Sequence, residues 1–228
     1  MKYRILGTVA AVALMASTSA NALVIDDFTV TQILAATASG TVAAGIGGER
    51  EASITQNTGT SSVLDINNSS AGELLFANAG GQATVVVLYD GVGSGGFTAT
   101  DLTVGGTQNA FEFIVTNSDF ANDMTISVTS GANTSTLLQQ SPTLAGPATP
   151  FVFDFANFTG TADFTVIDSI QITLINNQND NADISFSLLG TTFTGEVVVT
   201  VPEPGSLAIL GIGLIGLAGF YRRRNKTA

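Results

Sequence analysis

The sequence contains no cysteine and no histidine. Without cysteine there is no disulfide framework, no thiolate nucleophile and no point of lipid attachment behind a leader. Without histidine the commonest general base and the commonest transition-metal ligand are both missing. Tryptophan is absent as well. Basic residues are scarce and sit at the ends: Lys2 and Arg4 near the start, Arg222, Arg223, Arg224 and Lys226 near the finish. Arg50 alone lies between them. These gaps remove several mechanisms at once. A Ser-His-Asp triad needs histidine, and a Ser-Lys dyad needs a lysine in the folded part. Zinc sites of the His and Cys type cannot form. No G-x-x-x-x-G-K-[ST] phosphate loop and no Asp-Thr-Gly or Asp-Ser-Gly segment occurs.

Acids are plentiful. Residues 23–201 carry seventeen of the eighteen acids and the single arginine, a net charge of −16. Such a domain repels phosphate backbones and anionic head groups, which excludes nucleic acid as a partner. Divalent cations and neutral polymers are compatible with it. An acidic surface also serves plain solubility.

The first 22 residues read as a secretory signal peptide. Lys2 and Arg4 form a positive start, residues 5–15 are apolar, and Ala20-Asn21-Ala22 offers a small-x-small site for signal peptidase, with cleavage after Ala22. An uncleaved anchor would need a longer apolar run.

The C-terminus has three parts. Val201-Pro202-Glu203-Pro204-Gly205 comes first, and its prolines hold the chain extended and remove backbone donors. Residues 205–221 carry no charge and would span about 26 Å as a helix, the lower limit for one transmembrane crossing. Arg222-Arg223-Arg224-Asn225-Lys226 follows as a stop-transfer cluster that stays cytoplasmic. The rest of the chain then lies outside, in agreement with the signal peptide. In this order the last 27 or so residues resemble the PEP-CTERM sorting signal. The resemblance rests on Pro202-Glu203-Pro204, the Gly- and Leu-rich span and the arginines. It implies recognition by exosortase, a membrane-embedded cysteine transpeptidase-like enzyme of Gram-negative bacteria, and an association with exopolysaccharide. This chain would be the substrate. An ordinary single-span anchor would share the apolar span, and the sortase signal L-P-x-T-G is absent.

Between the two ends, short runs alternate apolar and polar residues. Ala110 to Thr116, Met124 to Thr129, Ser169 to Leu174 and Asp183 to Leu188 are examples. Period-two patterning rich in Ile, Val, Phe and Thr marks half-buried strands. Residues 83–89 form a continuous apolar run, expected as a central strand. Gly- and Asn-rich clusters separate the runs, and Pro142, Pro147 and Pro150 mark one long irregular connection. No helical periodicity appears outside the termini, and no fixed repeat is present. The expectation is an all-β domain over residues 23–200, an antiparallel β-sandwich of jelly-roll type, between signal peptide (1–22) and sorting tail (201–228). The lack of tryptophan and cysteine argues against an immunoglobulin core.

Three short segments make this domain similar to jelly rolls of the carbohydrate-binding-module type: Ile25-Asp26-Asp27-Phe28, Gly47-Gly48-Glu49-Arg50-Glu51 and Tyr89-Asp90-Gly91. The likeness implies a glycan contact. The chain departs from sugar binders in having no tryptophan, and Tyr89 is the one tyrosine of the domain.

What chemistry remains is that of carboxylates. A glycosidase needs two acids about 5–10 Å apart, but no spacing singles out a pair. Calcium is the more natural ligand, since hard cations take oxygen donors. The candidates are Asn179, Asp180 and Asp183 in the run 176–183, and Asp26 with Asp27. Turn chemistry explains the same residues without a metal. Arg50 reads as a structural ion pair with Glu49, Glu51 or Asp27, or as a polysaccharide contact. The resulting expectation is a non-enzymatic exported surface or matrix protein sorted by exosortase, with no cofactor unless calcium. The alternative is a carbohydrate-binding module with a specific glycan site, and behind it a glycosidase.

Overall fold

The computed structural model describes residues 22–195, apart from 60, 79, 99, 145 and 177–182. The chain divides after Thr194, and the unit described is the one before that point. Regular structure here is β-strand, with three short 3-10 turns. Among the described residues no helix is long and apolar enough to cross a membrane.

Among the described residues, fourteen strands form two antiparallel seven-stranded sheets. The first sheet holds β1 (Val24–Asp26), β2 (Gln32–Ala35), β5 (Ser62–Ile66), β6 (Leu74–Asn78), β8 (Ala110–Ser118), β11 (Thr149–Asp154) and β14 (Ile184–Thr192), in the order β11-β8-β14-β6-β5-β2, with β1 paired to β14. The second holds β3 (Ala38–Val42), β4 (Arg50–Gly59), β7 (Gly81–Tyr89), β9 (Asp123–Ser130), β10 (Asn133–Gln140), β12 (Thr159–Gly160) and β13 (Ser169–Asn176), in the order β12-β10-β9-β13-β7-β4-β3. The chain crosses from one sheet to the other repeatedly, as at β4 to β5 and β13 to β14. This is the sandwich that the alternation predicts. β7 is central, between β13 and β4.

The core follows from phase. Val85, Val87 and Tyr89 of β7, Ile170, Ile172 and Leu174 of β13, and Met124, Ile126 and Val128 of β9 point inward. The other sheet answers with phenylalanine. Phe113 meets Phe153 edge-on at 5.8 Å between centroids and Phe186 at 5.3 Å. Each such buried side chain is worth about 1.5–3 kcal/mol in transfer free energy, and edge-on geometry adds a little more.

Two expectations change. The alternation over 183–188 places Leu188 inside, yet Leu189 is buried and Leu188 is half-exposed. The register of β14 against β8 shifts between Phe186 and Leu189, and a bulge there reverses the phase. Pro150 does not belong to an irregular connection. It lies in β11, an edge strand, where a missing N–H costs no ladder bond.

Aspartates close several loops by one device. Asp27 accepts from the Thr29 amide and hydroxyl, Asp101 from those of Thr103, and Asp163 from those of Thr165. The threonine hydroxyl in each case holds the carboxyl below its usual range, helped by the amide of Thr29, Gly105 or Thr165 respectively. At Asp65, burial pushes the other way, and the hydrogen bonds from Asn68 and Ser69 overcome it. Burial drives the Tyr89 phenol well above its usual value, and the neighbouring Asp26 carboxylate adds to the effect.

These shifts fix the pH limits of stability by linkage. Carboxylates held low in the folded state contribute fully above the ordinary carboxylate value near 4. That contribution is lost as pH falls through their folded values. A phenol held high contributes below about pH 10 and loses its contribution as pH rises beyond. Urea midpoints should therefore be flat between these limits and fall on both sides. Asp101→Asn should flatten the acid limb. Identical acid limbs in the two proteins would refute the assignment to Asp101.

Candidate functional site

The three segments that carry the carbohydrate-module likeness come from β1, β4 and β7, and the fold brings them to one corner. Strand phase then divides their residues into an inner and an outer set.

The inner set is Asp26, Arg50 and Tyr89, with relative exposures of 2%, 0% and 0%. Arg50 Nη1 donates to Asp26 Oδ2 at 2.7 Å, and the Tyr89 hydroxyl donates to the same oxygen at 2.8 Å. Arg50 Nε donates to Gln32 Oε1 at 3.0 Å, and Nη2 to the Val30 carbonyl at 2.7 Å. Asp26 Oδ1 accepts from the Phe28 amide at 2.8 Å. The partner of Arg50 is therefore Asp26, not Glu49, Glu51 or Asp27. Those three point outward because they adjoin inward-facing neighbours on extended chain. Tyr89, the one tyrosine of the domain, is sealed in and can stack on no sugar. Gly45 lies over the cluster with a φ of 69°, and a Cβ there would stand 2.5 Å from the Tyr89 ring. Glycine is required at that position on both counts.

The outer set is Glu49, Glu51 and Asp90. One carboxylate oxygen from each lies within 4.8 Å of the others. The Gly93 amide donates to Glu49 Oε1 at 3.2 Å, and Asp90 Oδ1 is enclosed with no hydrogen-bond partner. Three converging carboxylates offer the oxygen donors that a hard cation such as calcium takes. Of the calcium candidates read from sequence, Asn179 and Asp180 lie outside the described residues. Asp183 spends Oδ1 on the Asn78 amide at 2.9 Å. Asp26 is committed to Arg50, and Asp27 to its turn. The trio escaped the sequence reading because Glu49 and Glu51 lie some forty residues from Asp90 in the chain. The alternation around Arg50 was the available signal.

Beside this corner lies the outward face of the second sheet. The pairings align its side chains in rows across six strands. One row runs Thr136, Ser127, Gln171, Leu88, Glu51 and Thr41. The next runs Leu138, Thr125, Thr173, Val86, Ser53 and Ser39. Thr129 and Thr134 flank them at one end, Thr84 and Thr55 at the other. The acids in these rows and flanks are Glu51 and, at the start of β9, Asp123. The β3–β4–β7 end is dished, and Thr41, Glu51, Ser53, Val86 and Leu88 line the depression.

The sorting residues Val201, Pro202, Glu203 and Pro204, the arginines 222–224, and Ala20 of the peptidase site lie outside the described residues. Their sequence has a counterpart all the same: residues 200–224 match the PEP-CTERM protein-sorting motif. The chain thus carries the sorting signal expected of it, and the motif implies an exported protein processed by exosortase. No curated protein matches the chain. Solved structures similar in fold include carbohydrate-binding modules. The family 11 module from Clostridium thermocellum, in complex with a β-1,3-1,4-mixed-linked tetrasaccharide, is 10% identical with a TM-score of 0.40, over 75% of this chain and 95% of that one. CtCBM11 in solution gives 10% and 0.44, over 79% and 99%. PfGH50B gives 9% and 0.40, over 76% of this chain and 24% of its own.

Two outcomes follow. Removing one member of a buried pair strands the other, at about 3–5 kcal/mol. Arg50→Met and Asp26→Asn should each lower the urea midpoint strongly, and the double variant should lose clearly less than their sum. Additive losses would show that the pair is not coupled. For the outer set, calcium well above its dissociation constant should raise the melting temperature by mass action. Glu51→Gln with Asp90→Asn should abolish the rise. A rise that sodium chloride reproduces at equal ionic strength would mean screening and no bound ion.

Proposed function

We propose that this is a non-enzymatic surface or matrix protein that signal peptidase and exosortase deliver outside the inner membrane, where it associates with exopolysaccharide. The match of residues 200–224 to the protein-sorting motif carries this reading. The composition supports it. Cation chemistry stays at the two ends, where membranes are met, while residues 23–201 hold seventeen acids and one buried base.

The tail divides the labour between two signals. Its uncharged span and its arginines hold the chain in the inner membrane, because moving those charges through hydrocarbon costs several kcal/mol. The prolines of the Pro202-Glu203-Pro204 sequence favour an extended chain, the form a processing enzyme binds, and the motif precedes the span. Cleavage after Ala22 frees the other end. A second reading, a module with a true glycan site, draws support from the hydroxyl-rich outward face of the second sheet. Among the described residues, a glycosidase reading has no carboxylate pair set apart on a substrate-sized cleft to favour it.

Replacing Pro202, Glu203 and Pro204 together by alanine should leave membrane insertion intact and block processing in an exosortase-positive host. Antibodies against the domain and against the tail should then find both epitopes together in the inner membrane. Replacing Arg222, Arg223 and Arg224 should instead weaken retention before processing. If the alanine variant is processed and released like the unmodified chain, the protein is a simply anchored one.

A further inference from the structure

We propose that the bond between Ala22 and Leu23 is open to signal peptidase only until β1 docks on β14, so that completion of the fold closes the window for removing the leader. The inference rests on the export reading above and adds the order of its steps.

The first strand pairs with the last one described. β1 has β14 as its ladder partner, so the two ends of the domain must meet. The Leu23 amide donates to Thr191 Oγ1 at 3.2 Å, across 168 positions of sequence. The Thr191 amide donates back to the Leu23 carbonyl at 2.9 Å. Contacts of such separation form late in folding, because a long loop must be closed first. In a chain that crosses the membrane from its N-terminus, β14 arrives after every other strand described here. Until it does, the ladder beside β1 is missing.

Docking then covers the bond. A protease takes its substrate as extended chain and binds backbone groups on both sides of the point of cleavage. On the C-terminal side those groups belong to Leu23 and Val24. In the folded domain both backbone groups of Leu23 are engaged with Thr191, and the register sets Val24 opposite Gly190. A Cβ on residue 190 would stand 2.9 Å from the Leu23 carbonyl oxygen, so the two strands leave no room for a side chain there. Ala22 is exposed and Leu23 is half-buried. The boundary of the fold falls at the bond to be cut.

The first residues of most domains fray, and fraying would reopen the bond. β1 is tied down. Ile25 is buried in the core, and Asp26 is held by Arg50, Tyr89 and the Phe28 amide. Lifting β1 strands the buried Arg50 guanidinium without its carboxylate, a far less favourable opening than the loss of a few ladder bonds. Arg50 is also a reporter. It is the one basic residue between Arg4 and Arg222, so trypsin acting on the exported part has this cleavage point alone, and the closed fold buries it.

The full-length chain with its leader, refolded in detergent, tests this with purified signal peptidase. The unmodified chain should lose its leader at least about tenfold more slowly than Gly190→Val, whose added side chain keeps β1 off β14. Trypsin should cut Gly190→Val after Arg50 and spare the unmodified chain. Equal rates of leader removal, with Arg50 cut only in the variant, overturn the proposal. Should Gly190→Val fail to fold, or keep Arg50 protected, the order of events in cells decides. In pulse-labelled spheroplasts, leader removal should precede resistance to external trypsin. Trypsin-resistant chains that carry the leader and lose it afterwards overturn the proposal. A synthetic peptide of residues 13–28 tests the premise separately. If signal peptidase leaves its Ala22–Leu23 bond intact, the leader reading fails. If the peptide and the folded chain are cut equally fast, closure alone is refuted.

Discussion

One arginine holds the corner on which the sandwich closes. Arg50 is fully buried, and its guanidinium reaches β1 through Asp26, β2 through Gln32, and the turn between them through the Val30 carbonyl. Asp26 in turn takes the Tyr89 hydroxyl from β7 and the Phe28 amide. Four strands from two sheets therefore meet at one charge. Guanidinium suits the place because its donors point in fixed, diverging directions, which a lysine could not reproduce. The pair is poor as a source of net stability, since desolvating two ions consumes most of what their attraction returns. Its value lies in exclusion. Any packing that leaves β1 off the sheet strands a buried cation, so misdocked arrangements are penalised more than the native one is favoured.

The same strand phase that buries this charge builds the exterior. With Arg50 inward, Glu49 and Glu51 must face outward; with Tyr89 inward, Leu88 and Asp90 must do so. The carboxylate trio and one end of the hydroxyl-rich face are thus consequences of the registers Glu51–Leu88 and Thr41–Glu51. A one-residue slip of β4 against β7 would put the glutamates into the core and the arginine into solvent. Fold and surface chemistry are specified together, and neither can drift without the other.

Much of this was legible in the sequence. The runs containing Met124, Ile126 and Val128, or Ile170, Ile172 and Leu174, alternate cleanly because one side is core and the other is solvent. Where alternation fails, so does the reading. Ile25 and Asp26 are consecutive and both buried, so phase alone could not say which aspartate pairs with Arg50. The bulge in β14 moves burial from Leu188 to Leu189 through two residues that look regular. β3, with its Ala-Ser-Gly-Thr-Val, has too little apolar content to announce itself and is a strand because β4 pairs with it. Tyr89 drew attention as a lone aromatic beside Asp90-Gly91, a pattern equally suited to a strand ending in a turn. Its burial became evident from its place at the inward end of β7.

The hydroxyl-rich outward face was there to be read as well, in the residues that alternation sets aside. Once the inward positions of β9 and β13 are assigned to core, their partners are Thr125, Ser127, Thr129, Gln171 and Thr173. Ordinary solvated strand faces carry lysine and glutamate, which keep sheets apart and soluble. This chain has no lysine between its two ends, and several of its acids lie off the strands, where Asp27, Asp101 and Asp163 cap loops and Glu49 with Asp90 crowds one edge. Of the acids, Glu51 and Asp123 stand on the rows and flanks of the outward face, which is otherwise hydroxyl-rich.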